Sequence, residues 1–239
     1  MQTNQAKQLN FSGAYIDAKH VENAENYPIL NRTIAINPQA SDAYLMSETH
    51  ASIIPAFSST ILKDTIIQKA ESLLLLEVVE TKNIGKIIFE SDWELLGNLI
   101  DKFPKDIPLW KSPQDEAGIV ELDPYWMTRQ SSTPHQKEKF SVKVNLWFAP
   151  SYTDCKIHNF HEFIEIHSQI FGNGRMQKFK KEDFETLYED ILMSPGFTTS
   201  VPFCQIREQN QYTYPWHQYY ADTDCIWLAI EYHPTKTTL

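Results

Sequence analysis

Apolar residues in the second half of the chain follow a two-residue period. In 140–148 every second side chain is apolar, and this alternation over nine residues predicts a β-strand with one buried face. Residues 160–171 and 225–232 show further strand-like runs, while a helix capped by Asp183 is predicted over 184–192. Strands at this spacing, separated by Gly and Pro turns, predict an antiparallel sandwich or barrel.

The first half of the chain shows a different pattern. Residues 1–55 are predicted as an irregular arm with one short strand at Thr33–Ile36. Apolar residues then recur at helical spacing, which predicts a helix over 58–82, and a capping-box pattern predicts a second helix over 92–103. A loop-dominated connection over 108–134 follows. We therefore expect helices to precede a mainly β region.

Composition restricts the classes of function. The chain has 239 residues and a formal net charge of −10, so the basic surface that nucleic acids or anionic membranes require is not expected. It has three cysteines and no CxxC pair, which is typical of free thiols in a reducing, cytoplasmic compartment. No apolar run reaches the roughly 20 residues that span a bilayer. We expect a cytoplasmic protein that binds neither nucleic acid nor membrane.

The segment from 158 to 167 contains the candidate chemistry. On a strand, His161, Glu165 and His167 would share one face. Imidazoles and carboxylates are costly to bury unless they are paired or bind a metal ion. Iron(II), manganese, zinc, nickel and copper all accept this donor set, and two imidazoles with one carboxylate leave coordination positions open. We therefore predict a metal site around His161 and Glu165, with His167 as a pocket wall or a support for the ligands.

Further ligands are needed to complete such a site. His217 follows Pro215 on a turn that leads toward the last predicted strand, so a barrel would bring it back beside His161. His158 has the wrong parity for a regular strand, and a β-bulge would be needed to turn it inward. Otherwise Asn159 or a water molecule fills the fourth position.

Four residues are candidates for substrate binding, and His167, as a pocket wall, is the first of them. Arg175 and Gln177 have the same parity after a Gly-rich turn, so they could project inward and hold a substrate carboxylate; the alternative is a surface cross-strand pair. Tyr219 is either a substrate contact or a half-buried aromatic. A small polar substrate is expected, and Arg175 is the one indication that it is anionic.

The spacing of the candidate ligands resembles that of the cupin superfamily. His161, Glu165 and Gly172, separated by three and six residues, reproduce the second half of the first cupin motif. The segment 215–217, Pro-Trp-His, is similar to the second motif. The resemblance covers residues 140–233, and the first histidine of the family motif is replaced by asparagine.

The expected fold is α+β and mainly β. A helix-containing N-terminal region, residues 1–125, would pack on a C-terminal cupin-type antiparallel β-barrel, residues 126–239. The apolar faces of the N-terminal helices could also support a homodimer. One divalent ion, with Fe(II) as the first choice, would have four ligands: His158, His161, Glu165 and His217.

The resemblance also implies an activity. A non-haem iron(II) oxygenase, such as a dioxygenase, that acts on a small polar metabolite is the first choice. The alternatives are a metal-assisted isomerase or lyase, and a cupin that binds a small ligand without turnover.

Overall fold

The structure, a computed structural model, describes residues 2–47, 50, 52–207 and 211–235. Antiparallel strands dominate these residues, so the expected mainly β class is confirmed. The helical elements are short: α1 (Leu96–Leu99), α2 (Pro124–Met127) and two 3₁₀ turns (Ile84–Phe89 and Phe184–Thr186). The strands in chain order are β1 (Gln5–Gln8), β2 (Ile16–Ile29), β3 (Thr33–Ile36), β4 (Ala43–Leu45), β5 (Ser52–Ile54), β6 (Ser59–Leu62), β7 (Thr65–Val78), β8 (Glu94–Leu95), β9 (Trp110–Lys111), β10 (Asp115–Leu122), β11 (Glu138–Ala149), β12 (Thr153–Asp154), β13 (Ile164–Phe171), β14 (Gly174–Phe179), β15 (Leu187–Met193), β16 (Gln205–Arg207), β17 (Gln211–Thr213), β18 (Trp216–Ala221) and β19 (Cys225–Pro234).

The N-terminal part of the chain forms a seven-stranded sheet. Its order is β1-β2-β7-β3-β6, with β4 joining β7 to β5, and the long strands β2 and β7 pair over most of their length. Both faces of the sheet are covered. Leu74 and Leu76 lie in the largest apolar core, whereas Leu73 and Leu75 lie in a second core on the other face.

The predicted helix over 58–82 is wrong, because these residues form β6 and β7. A strand that is buried on both faces has no polar residues to alternate with its apolar ones. The run Leu73–Leu76 therefore carries no two-residue period, and the spacing of its apolar side chains also fits a helix. The helical N-terminal extension expected from the sequence is a β-sheet.

The helix predicted over 92–103 is also wrong in extent. Asp92 has a left-handed φ of +63°, and β8 follows, so only the four residues of α1 are helical. The backbone N–H of Leu96 donates to the carbonyl of Leu109, which ties this segment to the returning chain rather than to a longer helix.

The helix predicted over 184–192 is replaced by a turn and a strand. Asp183 does act as a cap, because its side chain accepts a hydrogen bond from the N–H of Glu185. The capped element is a single 3₁₀ turn, however, and the chain then extends as β15 along β14. Sheet pairing therefore overrides the local helical signal.

Two regions predicted to be irregular contain regular strands. The arm over 1–55 holds β1 to β5, of which only β3 was expected from the sequence, with the observed bounds. The connection over 108–134 holds β9, β10 and α2. In α2, Asp123 caps the N-terminus by accepting from the N–H groups of Tyr125 and Trp126.

Two sheets form the C-terminal part. The six-stranded sheet has the order β13-β19-β11-β9-β8, with β10 on β11, and the four-stranded sheet has the order β12-β18-β14-β15. The strands predicted over 140–148 and 225–232 are confirmed as β11 and β19. The strand predicted over 160–171 begins only at Ile164.

The six-stranded sheet separates two environments. One face, with Ile164 and Ile166 on β13, packs against the N-terminal sheet in the largest core. The opposite face carries Glu165, His167 and the aromatic Trp227, and turns toward the four-stranded sheet; we call it the inner face. The division of the chain at residue 125 stays a prediction, and the largest core contains residues from both sides of it.

Among the residues that the structure describes, none of the helices has the length and apolar character needed to cross a bilayer.

Candidate metal centre

His158 and His217 are held opposite each other by their backbones. The N–H of His158 donates to the carbonyl of His217 at 2.9 Å, and the N–H of His217 donates to the carbonyl of His158 at 2.8 Å. Directly opposed residues in an antiparallel pair send their side chains to the same face. Their ring centroids are consequently only 4.3 Å apart.

This pairing explains how His158 joins the site without a bulge in β13. The regular strand begins after the histidines, so its parity does not apply to His158 or His161. His158 instead pairs with His217 at the start of β18, and Lys156 before it has a left-handed φ of +71° that redirects the chain. Asn159, the other candidate for this position, is exposed.

The Nε2 atoms of the three histidines converge. The Nε2 of His161 lies 3.1 Å from that of His158 and 3.2 Å from that of His217. One ligand nitrogen from each residue lies within 4.8 Å of the other two, so the three could hold a metal ion together. The structure therefore brings three of the four predicted ligands to one point.

The other ring nitrogens show which atoms carry protons. The Nδ1 of His158 lies 3.0 Å from the carbonyl oxygen of Lys156, and the Nδ1 of His217 lies 2.9 Å from that of Pro215. A carbonyl oxygen can only accept a hydrogen bond, so both Nδ1 atoms carry the proton and both Nε2 atoms present a lone pair. The Nε2 of His161 can donate one proton to one of these neighbours, whereas a metal ion would satisfy all three nitrogens. The residues present therefore fit a divalent metal ion.

Burial keeps these imidazoles neutral. The pKa of His161 is lowered to about 3, mainly by desolvation and also by the nearby His158 and His167. Desolvation also places the pKa of His217 well below its ordinary value, with His158 contributing next. Since a metal ion competes with protons for the imidazole nitrogen, neutral rings are the form that binds it.

Aromatic rings surround the three histidines. His161 packs against Phe163 and Tyr214, with ring centroids 5.5 and 4.7 Å away, and Phe203 lies 4.8 Å from His217. The Tyr214 hydroxyl donates to the carbonyl of Phe163 at 2.7 Å, which fixes this wall. The rings exclude water from one side of the cluster and lower the local dielectric constant.

Glu165 lies beside the cluster and outside it. Its Oε2 is 3.7 Å from the Nδ1 of His161, and its Oε1 is 3.4 Å from the Nε2 of His167. The carboxyl group thus faces the edge of the His161 ring that points away from His158 and His217. Burial raises the pKa of Glu165 well above its ordinary value; Glu231 raises it further, and Lys111 opposes the change.

The inner face next to Glu165 contains unsatisfied polar groups. Within the described part of the chain, the buried Nδ1 of His167 and the buried Nε1 of Trp227 have no hydrogen-bond partner. Tyr219 on β18 contacts both rings in a tilted arrangement, with centroids 4.3 Å from His167 and 5.7 Å from Trp227. Unpaired buried polar groups are costly, so their concentration here points to a ligand with its own donors and acceptors.

Arg175 and Gln177 are not brought to the metal cluster. On β14 they pair with Tyr220 and Gln218, whose side chains alternate with that of His217 and so point to the opposite face of the sheet. The Nε of Arg175 donates to both carboxylate oxygens of Asp222 at 2.9 Å, and its guanidinium also binds Asp190 at 2.8 Å. This is the surface cross-strand arrangement that the sequence left as the alternative.

Sequence reasoning missed several residues of the site. Glu231 could have been found, because it is a charged residue in a strand that is otherwise apolar, with the parity of Trp227. It is buried and bonded to His233 at 2.7 Å and to Gln114 at 3.0 Å. Phe203 had no such signal, since it lies in an irregular segment far from the histidines in sequence.

Similarity to known proteins is confined to solved structures, since no family model and no curated protein matches the chain. An ectoine synthase from P. lautus is 13% identical, and the match covers 39% of this chain and 55% of the synthase, with a TM-score of 0.27. An RmlC-like cupin protein from Desulfovibrio desulfuricans is 16% identical over 43% of this chain and 79% of its own, with a TM-score of 0.28. A cupin 2 conserved barrel domain protein from Leptotrichia buccalis is 8% identical and covers 97% of this chain and 91% of its own, with a TM-score of 0.29. This chain thus spans just over half of the ectoine synthase, and two of these three structures are named as cupins.

Proposed function

We propose that this cupin-like chain is a metal-dependent enzyme in which His158, His161 and His217 bind one divalent ion. The observation that carries the proposal is the convergence of three Nε2 atoms whose partner nitrogens are turned outward, two of them to backbone carbonyls. Three protein ligands leave positions open, which is typical of catalytic rather than structural metal sites.

The substrate class follows from the inner face. Tyr219 contacts both His167 and Trp227, all three side chains are buried, and His167 and Trp227 each offer an unpaired nitrogen. A small polar molecule with its own donors and acceptors would satisfy these groups, and burial would orient it against the metal site. Arg175 faces elsewhere, so this proposal does not require an anionic substrate.

The proposed reaction class is iron(II)-dependent oxygenation. A divalent ion supplies Lewis acidity, and iron(II) also supplies one-electron chemistry with O₂. The chain's own residues would hold the substrate through His167 and Trp227 and exclude water through the rings of Phe163, Tyr214 and Phe203.

Metal-assisted isomerisation or elimination has less support. Either reaction needs a base that takes a proton from carbon, and a base works best when its pKa is near the operating pH. His167 presents an unpaired nitrogen, but its pKa is lowered to about 3 by desolvation and by the nearby His217. A group with this pKa is a weak base at neutral pH.

Metal content and O₂ consumption test the proposal. Purified protein is stripped with chelator and titrated with Fe(II), Mn(II) and Zn(II), and one ion per chain is expected with micromolar affinity or tighter. The Fe(II) form is then assayed for O₂ uptake with a panel of small polar metabolites. Conversion without O₂ would indicate the isomerase or lyase, ligand binding without conversion a non-catalytic cupin, and failure to bind any of the three metals would refute the site.

A further inference from the structure

The three histidines of the cluster differ in what holds the nitrogen turned away from it. His158 and His217 each donate from Nδ1 to a backbone carbonyl. The Nδ1 of His161 faces instead a side chain, the Oε2 of Glu165, at 3.7 Å. His161 is thus the one histidine of the three whose orientation depends on a replaceable group.

We propose that Glu165 is a positioning residue for His161 and not itself a metal ligand. Its carboxyl group lies 3.7 Å from the Nδ1 of His161, and a hydrogen bond formed there from Nδ1–H on metal binding would direct the lone pair of Nε2 toward His158 and His217. This inference rests on the proposed metal site, and it specifies that three imidazoles are the only protein ligands of the ion.

The geometry separates Glu165 from the point where the nitrogens meet. The two nitrogens of an imidazole lie on different edges of the ring, so an oxygen that faces Nδ1 is shielded by the ring from the atoms that face Nε2. The second oxygen, Oε1, is engaged as well, at 3.4 Å from the Nε2 of His167. Both carboxyl oxygens therefore face imidazole nitrogens other than the three that converge.

The sheet fixes this placement. Glu165 is the direct partner of Glu231 in the pairing of β13 with β19, and its neighbours Ile164 and Ile166 are buried in the core on the opposite face. This register keeps the side chain of Glu165 on the inner face. A carboxylate bonded to a ligating imidazole fixes its tautomer and increases its basicity, and loss of such a partner typically costs about 10- to 100-fold in metal affinity.

Glu231 provides a matched control. Glu165 and Glu231 are both 6% exposed, lie opposite each other on the inner face and differ in their partners, since Glu231 binds His233 and Gln114. Replacement of either by Gln removes one buried ionisable group at nearly constant shape. Only Glu165 faces a histidine of the cluster.

The experiment is a Co(II) titration of the apoprotein, followed by visible absorption, for wild type, Glu165→Gln, Glu165→Ala and Glu231→Gln. The position and intensity of the cobalt bands report the donor set, and the titration reports the affinity. We expect the same band shape in all four proteins, an affinity lowered about 10- to 100-fold in Glu165→Ala, a smaller loss in Glu165→Gln and none in Glu231→Gln. The Gln variant retains an oxygen acceptor for Nδ1–H, so it should rescue most of the loss.

The outcomes separate this inference from the proposed function. A changed band shape in Glu165→Gln would show that the carboxylate is itself a ligand, and equal affinity in Glu165→Ala and wild type would show that it does not position His161. Failure of wild type to bind Co(II) would instead refute the metal site. Nitrogen-15 spectra of the Zn(II)-loaded histidine rings give a second readout, in which the Nδ1–H signal of His161 should shift in Glu165→Gln and stay in place in Glu231→Gln.

Discussion

The backbones of His158 and His217 exchange two hydrogen bonds, although 58 residues separate the two in sequence. The pair holds two imidazoles at a ring distance of 4.3 Å before any metal ion is bound. Because backbone atoms make these bonds, the pairing survives changes of either side chain.

Replacement of His158 or His217 by Ala should therefore abolish metal binding while the fold is retained. We expect the metal dissociation constant to rise by more than about 100-fold, the upper end of what loss of an indirect support costs. Isothermal titration of the stripped protein with Zn(II) measures the affinity, and far-ultraviolet circular dichroism measures the fold. His135→Ala is the control, since the exposed ring of His135 packs on Tyr125, and its backbone N–H, which donates to Asp123, is retained in the variant. Equal binding by the His217 variant and the control would contradict the site.

Metal binding should stabilise the protein. An ion that binds only the folded state adds about 2.7 kcal/mol to the free energy of unfolding at a free concentration 100-fold above the dissociation constant. Urea unfolding with and without Zn(II) measures this difference, and added chelator should reverse it. In His161→Ala the same addition should have no effect, because one of the three converging nitrogens is lost. A Zn(II)-dependent shift of equal size in that variant would place the metal elsewhere.

Acidification should destabilise the metal-free protein. Folding lowers the pKa of His158 and His217 and lowers those of His161 and His167 to about 3, so between pH 3 and 6.5 the unfolded chain binds more protons on these rings. Glu165 acts in the opposite direction, since its raised pKa keeps a proton in the folded state. Four imidazoles outweigh one carboxyl, so the free energy of unfolding falls as the pH falls. Each strongly shifted imidazole contributes on the order of 2 kcal/mol between pH 7 and pH 5.

Urea unfolding in the presence of chelator at pH 7 and pH 5 tests the direction in which the free energy of unfolding changes with pH. His167→Gln should reduce the dependence on pH, whereas His135→Gln should leave it as in wild type. Equal stability at pH 7 and pH 5 would mean that the imidazoles are not buried in their neutral form.

Removal of the Arg175 side chain should leave the site unaffected. Its guanidinium is part of an ion-pair network with Asp222 and Asp190 on the face away from His217. Partly exposed pairs of this kind contribute about 0–1 kcal/mol, so Arg175→Ala should lower the free energy of unfolding by that amount at most. Metal affinity and substrate-dependent turnover should match those of wild type. A tenfold rise in KM would restore Arg175 as a substrate ligand.

The N-terminal sheet can be tested through its buried leucines. Leu74 is fully buried between the N-terminal and six-stranded sheets, so Leu74→Ala should cost about 2–5 kcal/mol. Leu192 on β15 is 58% exposed and serves as the control, with an expected loss below about 0.5 kcal/mol. Urea unfolding measures both. Similar losses in the two variants would contradict the core described for β7.

The sequence was informative where a strand has two different faces. The run 140–148 alternates because one face of β11 meets an apolar core and the other meets the polar inner face. In the run Leu73–Leu76 both faces are apolar, and the period that distinguishes strand from helix is absent. The side chain of Asp183 caps the turn that follows it, as the sequence predicts. The capped element is a short 3₁₀ turn, however, and not the long helix that was expected.

The candidate site was predictable in its residue types and not in its geometry. The sequence indicated His161 and Glu165 as site residues because a polar pair in an apolar run is costly to bury. The pairing of His158 with His217 depends on a contact between distant segments, which no local pattern encodes. The side of the His161 ring that Glu165 faces likewise depends on where β13 begins.

Strands β13 and β19 place core residues and inner-face residues at alternate positions, with Ile164 and Ile166 on one side and Glu165 and His167 on the other. A slip of one residue along the neighbouring strand would exchange the two sets. The carboxyl and imidazole groups would then enter the apolar core, and isoleucines would line the site. A misfolded chain of this kind would lose both its stability and its capacity to bind a ligand at once. Recovery of the full metal affinity after refolding, which depends on Glu165 beside His161, is therefore also an assay of correct strand alignment.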